Sequence, residues 1–301
     1  MAGPSSYPLH LAHRDGKQTS VQGKVVVITG ATSGIGQVAA EQLASQGARL
    51  VLVARDRARG EATLARLRER GPGVAHRAHY ADLSLMVETK RMAAEIAAAE
   101  PRVDVLINNA GAMFGTRRVT PEGLELTFAT NHMPYFLLTH GLRERLLAAA
   151  PARVVNTSSA AHRRASVDFD DLQSARGYRG FKVYGLSKLL NILYTRELAR
   201  RSAGTGVTAN SLHPGFVATR FGDASGGLFS YVVRASKKVF AISAEKGAET
   251  LVYLASSPEV ATISGGYFYQ CQLATPTRAA QDDAAARRLW AETARLAGLP
   301  G

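Results

Sequence analysis

Short apolar runs and longer amphipathic segments alternate along most of this chain. The first apolar run spans residues 25–28, and residues 37–46 behind it carry apolar side chains at helical spacing. Further strands are predicted at 49–53, 74–81, 103–108, 153–156, 208–212 and 266–269, with helices at 60–70, 87–99, 122–149, 184–203 and 247–255. Strands separated by helices of this length form parallel βαβ units. The pattern therefore predicts an α/β fold, a doubly wound parallel sheet of about seven strands with helices on both faces.

Three segments lie outside this alternation. Residues 1–22 are predicted to form an N-terminal arm on the surface, and the polar insertion 166–181 precedes a predicted helix. Residues 282–299 have apolar side chains at helical spacing, which predicts a C-terminal amphipathic helix that covers an edge of the core. Because no repeat and no long Pro/Gly linker interrupts the pattern, residues 23–301 are predicted to form one domain.

Composition narrows the class of protein. The chain has 301 residues, of which 46% are hydrophobic, enough to fill one large core. Its single cysteine, Cys271, excludes an internal disulfide framework and is typical of a reducing compartment. No apolar stretch approaches the roughly 20 residues of a membrane span, and residues 1–22 lack the apolar core of a signal peptide. We therefore expect a cytoplasmic protein with no membrane span.

The formal charge of +13 has two interpretations, nucleic-acid binding and attraction of an anionic small molecule. The arginines are spread over many segments, and no basic run is interleaved with aromatic residues. We therefore expect no specific nucleic-acid partner. Attraction of an anionic cofactor is the simpler use of the charge.

A glycine-rich turn, residues 29–36, follows the first predicted strand and leads into a helix. At such a helix N-terminus, backbone N–H groups and the helix dipole can hold a diphosphate. Far along the chain, Tyr184 and Lys188 lie four residues apart, so a helix would place them on one face. A nearby ammonium favours the phenolate, so Lys188 is expected to lower the pKa of Tyr184 and prepare it for acid–base catalysis. Each signal alone is weak, and together they indicate a nucleotide-dependent enzyme.

With these motifs, the chain resembles the short-chain dehydrogenase/reductase family from about residue 24 to about residue 273. The family has a single-domain Rossmann fold, and the resemblance implies a nicotinamide cofactor. It carries over cofactor contacts to Gly30, Thr32, Ser33, Gly34, Ile35, Gly36, Asp82, Leu83, Asn109, Ala110, Gly111, Tyr184, Lys188, Pro214, Gly215, Val217 and Thr219. Asp82 could instead be an ordinary loop acid, and Pro214-Gly215 an ordinary turn.

The end of the second strand bears on the choice of cofactor. In this fold, a carboxylate at that position binds the ribose 2′-hydroxyl of NAD. Alignment with the family places Ala54 there, and Arg55 follows it. A guanidinium binds a 2′-phosphate through charge-assisted hydrogen bonds, and Ser33 could add a hydroxyl contact. Asp56 is a counter-argument, but on balance we expect NADP(H) to be preferred over NAD(H).

The resemblance also implies a catalytic set. Ser159, with Ser158 as the alternative, would polarise the substrate carbonyl, and Tyr184 would exchange the proton. Lys188 would hold the nicotinamide ribose, and Asn131 would keep a water molecule near the lysine. The histidines near these motifs, His132, His162 and His213, have no metal-ligand spacing, so no metal site is predicted.

Further segments resemble the branch of retinol-dehydrogenase-like and WW-domain-containing oxidoreductases, among them 170–173 with Tyr178, 264–268 and 288–290. In the family, residues 220–244 form the substrate loop, and here that loop is rich in aromatic and aliphatic residues, with Met113 and Phe114 expected to approach it. We therefore expect an NADP(H)-dependent oxidoreductase that acts on an apolar aldehyde, ketone or alcohol, such as a retinal-like substrate. The alternative is an NADP(H)-binding sensor or scaffold without turnover.

Pro134 lies where relatives usually have glycine, within the predicted helix 122–149. A proline inside a helix removes a hydrogen bond and kinks it. Since this helix often lines the subunit interface in the family, we expect a homodimer or a monomer at least as much as the usual tetramer.

Overall fold

The computed structural model of the protein describes residues 21–215 and 243–300. Its centre is a sheet of eight strands in the order β3-β2-β1-β4-β5-β6-β7-β8. The strands are β1 (Val25–Thr29), β2 (Arg49–Ala54), β3 (Arg77–Tyr80), β4 (Val105–Asn108), β5 (Ala152–Thr157), β6 (Val207–Leu212), β7 (Tyr267–Tyr269) and β8 (Gln272–Leu273). All neighbouring pairs are parallel except β7 and β8. The predicted α/β doubly wound fold is confirmed.

Helices cover both faces of this sheet. They are α1 (Gly34–Ser45), α2 (Arg57–Arg70), α3 (Met86–Ala99), α4 (Leu126–Asn131), α5 (Met133–Gly141), α6 (Arg143–Ala148), α7 (Gly180–Arg201), α8 (Ala244–Ser256) and α9 (Asp283–Ala297). Short 3-10 helices span Ala160–Arg164, Phe169–Asp171, Pro258–Val260 and Arg278–Gln281. In the part of the chain that is described, no helix is both long and apolar enough to cross a membrane.

The two faces of the sheet carry separate apolar cores. On β1, Val25 and Val27 belong to the core beneath α3, α5, α7 and α9. Val26 and Ile28 point the other way, into the core beneath α1, α2 and α8. All residues of β1 are buried, which explains why its sequence is a continuous apolar run and not an alternating one.

The predicted long helix 122–149 is wrong, because the structure divides it into α4, α5 and α6. The first break falls at His132, which ends α4 and begins α5. Pro134 lies in the first turn of α5, where its missing N–H costs nothing. The proline therefore begins a new helix and does not kink a continuous one.

The last part of the sheet also departs from the prediction. The chain adds an eighth strand, β8, which pairs with β7 in an antiparallel hairpin. Gln270 and Cys271 make the turn with positive φ values of 50° and 61°, which non-glycine residues adopt rarely. Such a two-residue strand is too short to leave a hydrophobic pattern in the sequence.

The predicted C-terminal helix is present as α9, with Asp282 capping its first turn through the N–H of Ala285. Trp290 stacks on Tyr194 of α7, with ring centroids 5.8 Å apart, and meets Phe136 of α5 edge-on at 5.0 Å. The Arg201 guanidinium lies 4.4 Å from the centre of the indole ring. These contacts fasten α9 to the helices that carry the candidate site.

Candidate active site

The strand order reverses between β1 and β4, and the segments that follow these two strands face each other at the carboxyl edge of the sheet. In open α/β sheets this edge is where ligands bind. At the turn after β1, Gly30 and Gly34 take positive φ values of 69° and 56°. Ser33 precedes α1 in an extended conformation, and its side chain makes no cap hydrogen bond. The N–H groups of the first turn of α1 are thus free of a side-chain cap and suited to an anion.

The glycines of this turn are required by close approach. A β-carbon on Gly30 would lie 2.9 Å from the side-chain nitrogen Nδ2 of Asn109 and from the Cα of Ala110. On Gly36 it would overlap the main-chain oxygen of Gly30 and the Asn109 side chain. The turn after β1 therefore packs directly against the backbone of Ala110 and the side chain of Asn109, which leaves no room for a side chain at Gly30 or Gly36.

A single hydroxyl joins the same two segments. The Oγ1 of Thr29 accepts hydrogen bonds from the N–H groups of Asn109 and Ala110, each over 2.9 Å. The Asn109 side chain returns a hydrogen bond to the carbonyl of Thr29 over 3.1 Å. Thr29 opens the glycine-rich turn in the sequence, but its link to Asn109 and Ala110 is not predicted there, because it depends on the pairing of β1 with β4.

Asp82 and Leu83 follow β3 at the same edge of the sheet. The Oδ1 of Asp82 accepts from the N–H and the hydroxyl of Ser84, over 2.9 and 2.7 Å. Leu83 is partly buried against the core under α3. The carboxylate thus orders its own turn and stays half-buried at the edge where a cofactor contact is predicted.

Three charged residues beyond the end of β2 differ in their contacts. Asp56 accepts from the N–H of Arg59 over 2.8 Å and so caps α2. Arg55 is exposed, and within the described residues its side chain has no hydrogen bond or ion pair. The Arg59 guanidinium reaches back to the carbonyl of Thr32 in the glycine turn over 3.0 Å. Arg59 is a site residue that the sequence reasoning missed, since its approach to the turn depends on how α2 packs.

The two serines after β5 differ in environment. Ser158 is buried, and its hydroxyl donates to the main-chain oxygen of Lys188 over 2.7 Å. Ser159 is partly exposed and caps a 3-10 helix by accepting from the N–H of Ala161 over 3.2 Å. Its hydroxyl also hydrogen-bonds the phenol of Tyr184. The serine beside the tyrosine is therefore Ser159 and not Ser158.

Tyr184 and Lys188 share the buried face of α7. The ammonium of Lys188 donates to the carbonyl of Thr157 over 3.1 Å and lies 5.6 Å from the centre of the Tyr184 ring. Burial raises the pKa of Tyr184 to about 12, and the hydrogen bond with Ser159 offsets this only in part. Burial also lowers the pKa of Lys188 to about 7. This differs from the expected lowering of the tyrosine pKa, because the loss of water disfavours the charged form of both groups.

Asn131, at the end of α4, is fully buried. Its side chain bonds the backbone of Ala112 twice, accepting from N–H over 2.8 Å and donating to the carbonyl over 2.9 Å. It also donates to Ser187 of α7 over 3.0 Å. A β-carbon on Gly111 would lie 3.3 Å from both the Asn131 oxygen and the Lys188 nitrogen. Asn131 therefore ties the segment after β4 to the helix that carries the lysine.

The remaining predicted site residues follow β6. Pro214 and Gly215 follow β6 at the same edge, where Gly215 has a φ of 87° and donates to His213 over 3.1 Å. Val217, Thr219 and residues 220–242 of the predicted substrate loop lie outside the described residues.

A cavity of about 210 Å³ opens between the 3-10 helix after Ser159 and the start of α7, and neither Ser159 nor Tyr184 lines it. Its lining comes from the 3-10 helix after Ser159 and from the start of α7, and it comprises Ala161, Arg164, Arg179, Phe181, Lys182 and Gly185. Phe181 is exposed over 48% of its surface.

A family model described as short chain dehydrogenase matches residues 24–226. The chain belongs to the short-chain dehydrogenase family. Such enzymes are oxidoreductases that act on CH–OH or C=O groups and bind a nicotinamide cofactor. The glycine turn, the uncapped start of α1 and the close-packed segment after β4 fit the diphosphate and ribose of that cofactor.

Similar curated proteins confirm that the chain belongs to the retinol-dehydrogenase-like branch of the family. Retinol dehydrogenase 13 of Homo sapiens is 40% identical over 289 residues, which cover 94% of this chain and 87% of that protein. Retinol dehydrogenase 14 of Homo sapiens is 40% identical over 305 residues, covering 95% and 90%.

Solved structures show the same fold. The crystal structure of an uncharacterized protein from Mycobacterium Paratuberculosis has a TM-score of 0.73 and 31% identity, and the match covers 92% of this chain and 94% of that one. The active-site complex of Pseudomonas aeruginosa RhlG with NADP has a TM-score of 0.66 and 28% identity, covering 83% and 96%.

Proposed function

We propose that this short-chain dehydrogenase is an NADP(H)-dependent reductase of apolar aldehydes and ketones, a reaction that can run in reverse toward alcohol oxidation. The observation that carries the proposal is the grouping of Ser159, Tyr184 and Lys188 at the sheet edge that also holds the glycine turn. A bound nicotinamide would supply or accept the hydride, and the protein would orient it. The chain's own residues would polarise the carbonyl and move the proton.

The proton chemistry supports the direction of reduction. A phenol with a pKa of about 12 is fully protonated at neutral pH, so Tyr184 is ready to donate to a developing alkoxide. Ser159, already hydrogen-bonded to that phenol, is well placed to hold the carbonyl oxygen. Lys188 would hold the nicotinamide ribose and share protons with its surroundings, since burial brings its pKa to about 7.

Preference for NADP(H) is supported by the end of β2. Ala54 has no carboxylate to bind a ribose 2′-hydroxyl, and Asp56 is engaged as the cap of α2. Arg55 is exposed and could meet a 2′-phosphate, while Arg59 holds the glycine turn nearby. The RhlG structure contains NADP, which is compatible with this preference.

An apolar substrate is supported by the names of the relatives and by the side chains near the site. Two of those relatives are named for retinol, a long apolar alcohol. Met113 is buried and Phe114 half-buried in the segment after β4. The predicted loop 220–244 adds further apolar residues in the sequence. We also retain a cytoplasmic location and a homodimer as proposals, to be tested by cell fractionation and by light scattering.

The decisive experiment measures oxidation of NADPH and NADH against matched long apolar and small polar aldehydes and ketones. Turnover that favours NADPH and apolar carbonyls, and that disappears in Tyr184→Phe, would support every part of the proposal. Equal turnover of small polar carbonyls would refute the apolar substrate class. Binding of NADPH without reduction of any carbonyl would favour a sensor or scaffold.

A further inference from the structure

Asn191 lies on α7 three residues after Lys188 and is fully buried. Its amide nitrogen donates to the main-chain oxygen of Asn131 over 3.0 Å and to that of Thr157 over 3.3 Å. The Thr157 oxygen is also the acceptor for the Lys188 ammonium, over 3.1 Å. Asn191 and the lysine thus share one carbonyl.

His132 is also fully buried, between α4 and α5. Its Nδ1 lies 3.2 Å from the Asn191 side-chain oxygen, and its Nε2 lies 3.0 Å from the hydroxyl of Thr293 on α9. Because the Asn191 nitrogen donates to two carbonyls, its oxygen must accept, so Nδ1 of His132 carries the hydrogen. Nε2 then accepts from the Thr293 hydroxyl. The two carbonyls bonded by Asn191, the Asn191 oxygen and the Thr293 hydroxyl together determine the tautomer of the His132 ring.

The surroundings keep this ring neutral. His132 contacts the rings of Phe128 and Tyr194, with centroids 5.1 and 5.9 Å away. Burial lowers the pKa of His132 to about 4, so the arrangement of hydrogens is the same throughout the neutral pH range.

We propose that Asn191 and His132 are positioning residues for Lys188, an inference that rests on the proposed function for the meaning of that lysine. His132 orients the Asn191 amide, and the amide holds the carbonyls of Asn131 and Thr157. The Thr157 carbonyl in turn fixes the ammonium. Thr293 extends the chain of hydrogen bonds to α9, so the C-terminal helix braces the active site.

The direction of the amide distinguishes this role from general packing. A buried asparagine needs partners, but the Asn191 amide donates to two main-chain carbonyls of the site, and one of them is the acceptor of Lys188. Asn131, one of these two residues, also holds the segment after β4 through Ala112. Loss of the amide would therefore release the acceptor of Lys188 and the anchor of the cofactor segment together.

The first test follows Lys188 itself in the protein without cofactor. The rate of its reductive methylation by formaldehyde, measured by peptide mapping across pH, yields its apparent pKa. In the described part of the chain, the phenols of Tyr135 and Tyr184 are the titratable groups near its ammonium. Asn191→Leu frees the Thr157 carbonyl to move away, which disfavours the ammonium, so the apparent pKa is expected to fall by about half a unit or more.

Two variants serve as controls. Thr195→Val removes a buried hydroxyl of α7 that accepts from Asn156 over 3.0 Å and donates to the main-chain oxygen of Asn191 over 2.6 Å. This hydroxyl contacts neither of the two carbonyls that the Asn191 side chain holds. It is expected to lower the melting temperature without moving the Lys188 titration. His132→Asn can keep a donor in the place of Nδ1 while it loses Thr293, whereas His132→Leu loses both links. The asparagine variant is expected to resemble the native protein and the leucine variant to resemble Asn191→Leu.

Turnover adds a second readout. In the reductase assay, Asn191→Leu and His132→Leu are expected to lower kcat by about tenfold, with KM changed much less. A Thr195→Val variant that shifts the lysine titration as much, or an Asn191→Leu variant that leaves it unchanged, would overturn the proposal. If the native protein reduces no carbonyl, the proposed function fails, while the lysine titration still decides the positioning role. If Asn191→Leu does not fold, the Lys188 titration of His132→Leu compared with that of His132→Asn tests the positioning role instead.

Discussion

The hydroxyl of Ser158 donates to the main-chain oxygen of Lys188 over 2.7 Å in the interior of the protein. Its neighbour Ser159 instead hydrogen-bonds Tyr184 at a partly exposed position. The two adjacent hydroxyls thus have separate roles, one in the fold and one at the candidate reacting centre.

Alanine substitutions should separate these roles. Ser159→Ala is expected to lower kcat by about a hundredfold, because it removes a donor to the carbonyl oxygen. Ser158→Ala is expected to cost about 1 kcal/mol of unfolding free energy with a much smaller loss of turnover. Steady-state kinetics and denaturant unfolding of both variants make the comparison. The reverse pattern would assign catalysis to Ser158.

The close approach at Gly36 predicts a selective loss of cofactor binding. Gly36→Ala places a methyl group against the Gly30 carbonyl and the Asn109 amide, so the glycine turn must move. NADPH binding, measured by fluorescence titration, is expected to weaken by about tenfold or more, or at least 1.4 kcal/mol. Gly73→Ala is the control: at a φ of 84° with no atom within 4 Å, it strains the backbone away from the site. Equal binding by both variants would contradict the role given to the turn.

Arg55 should determine the response to the 2′-phosphate. Arg55→Ala removes a charge-assisted contact, so the KM for NADPH is expected to rise about tenfold while the KM for NADH changes little. Arg66→Ala removes the same charge from an exposed position on α2 and should affect neither cofactor. Equal changes for both cofactors would indicate only a general electrostatic effect.

The buried lysine predicts how stability changes with pH. Burial lowers the pKa of Lys188 from 10.5 to about 7, so between these values the unfolded chain binds the extra proton. The cost of burying the charge is full below pH 7 and declines as the pH rises toward 10.5. The native protein is therefore expected to gain stability between pH 7 and 9 relative to Lys188→Met. Urea unfolding of both proteins across this range measures the difference, and parallel curves would show that the lysine is solvated.

Local sequence patterns made the glycine turn and the Tyr184–Lys188 pair predictable. The glycine turn, its strand and its helix are consecutive, so the backbone requirements of residues 29–36 can be read directly. Tyr184 and Lys188 lie four residues apart on α7, and the helix alone brings them together. These positions needed no knowledge of distant contacts.

The residues that were missed depend on tertiary packing. Arg59 reaches Thr32 because α2 lies beside the turn, and His132 meets Thr293 across 161 positions of sequence. Pro134 predicted a kink in the segment 122–149, but the start of a new helix at Met133 was not predicted. The direction of the pKa of Tyr184 was missed for a related reason, because burial cannot be judged from a four-residue spacing.

Thr29 accepts hydrogen bonds from both Asn109 and Ala110, so the turn after β1 and the segment after β4 cannot shift independently. A chimaera that imports residues 29–36 from a relative, but keeps its own 108–111, would join two surfaces that were selected separately. If residues 29–36 and 108–111 are exchanged together, the contacts between them are transferred intact. Although they lie about a quarter of the chain apart in the sequence, they form a single unit for engineering.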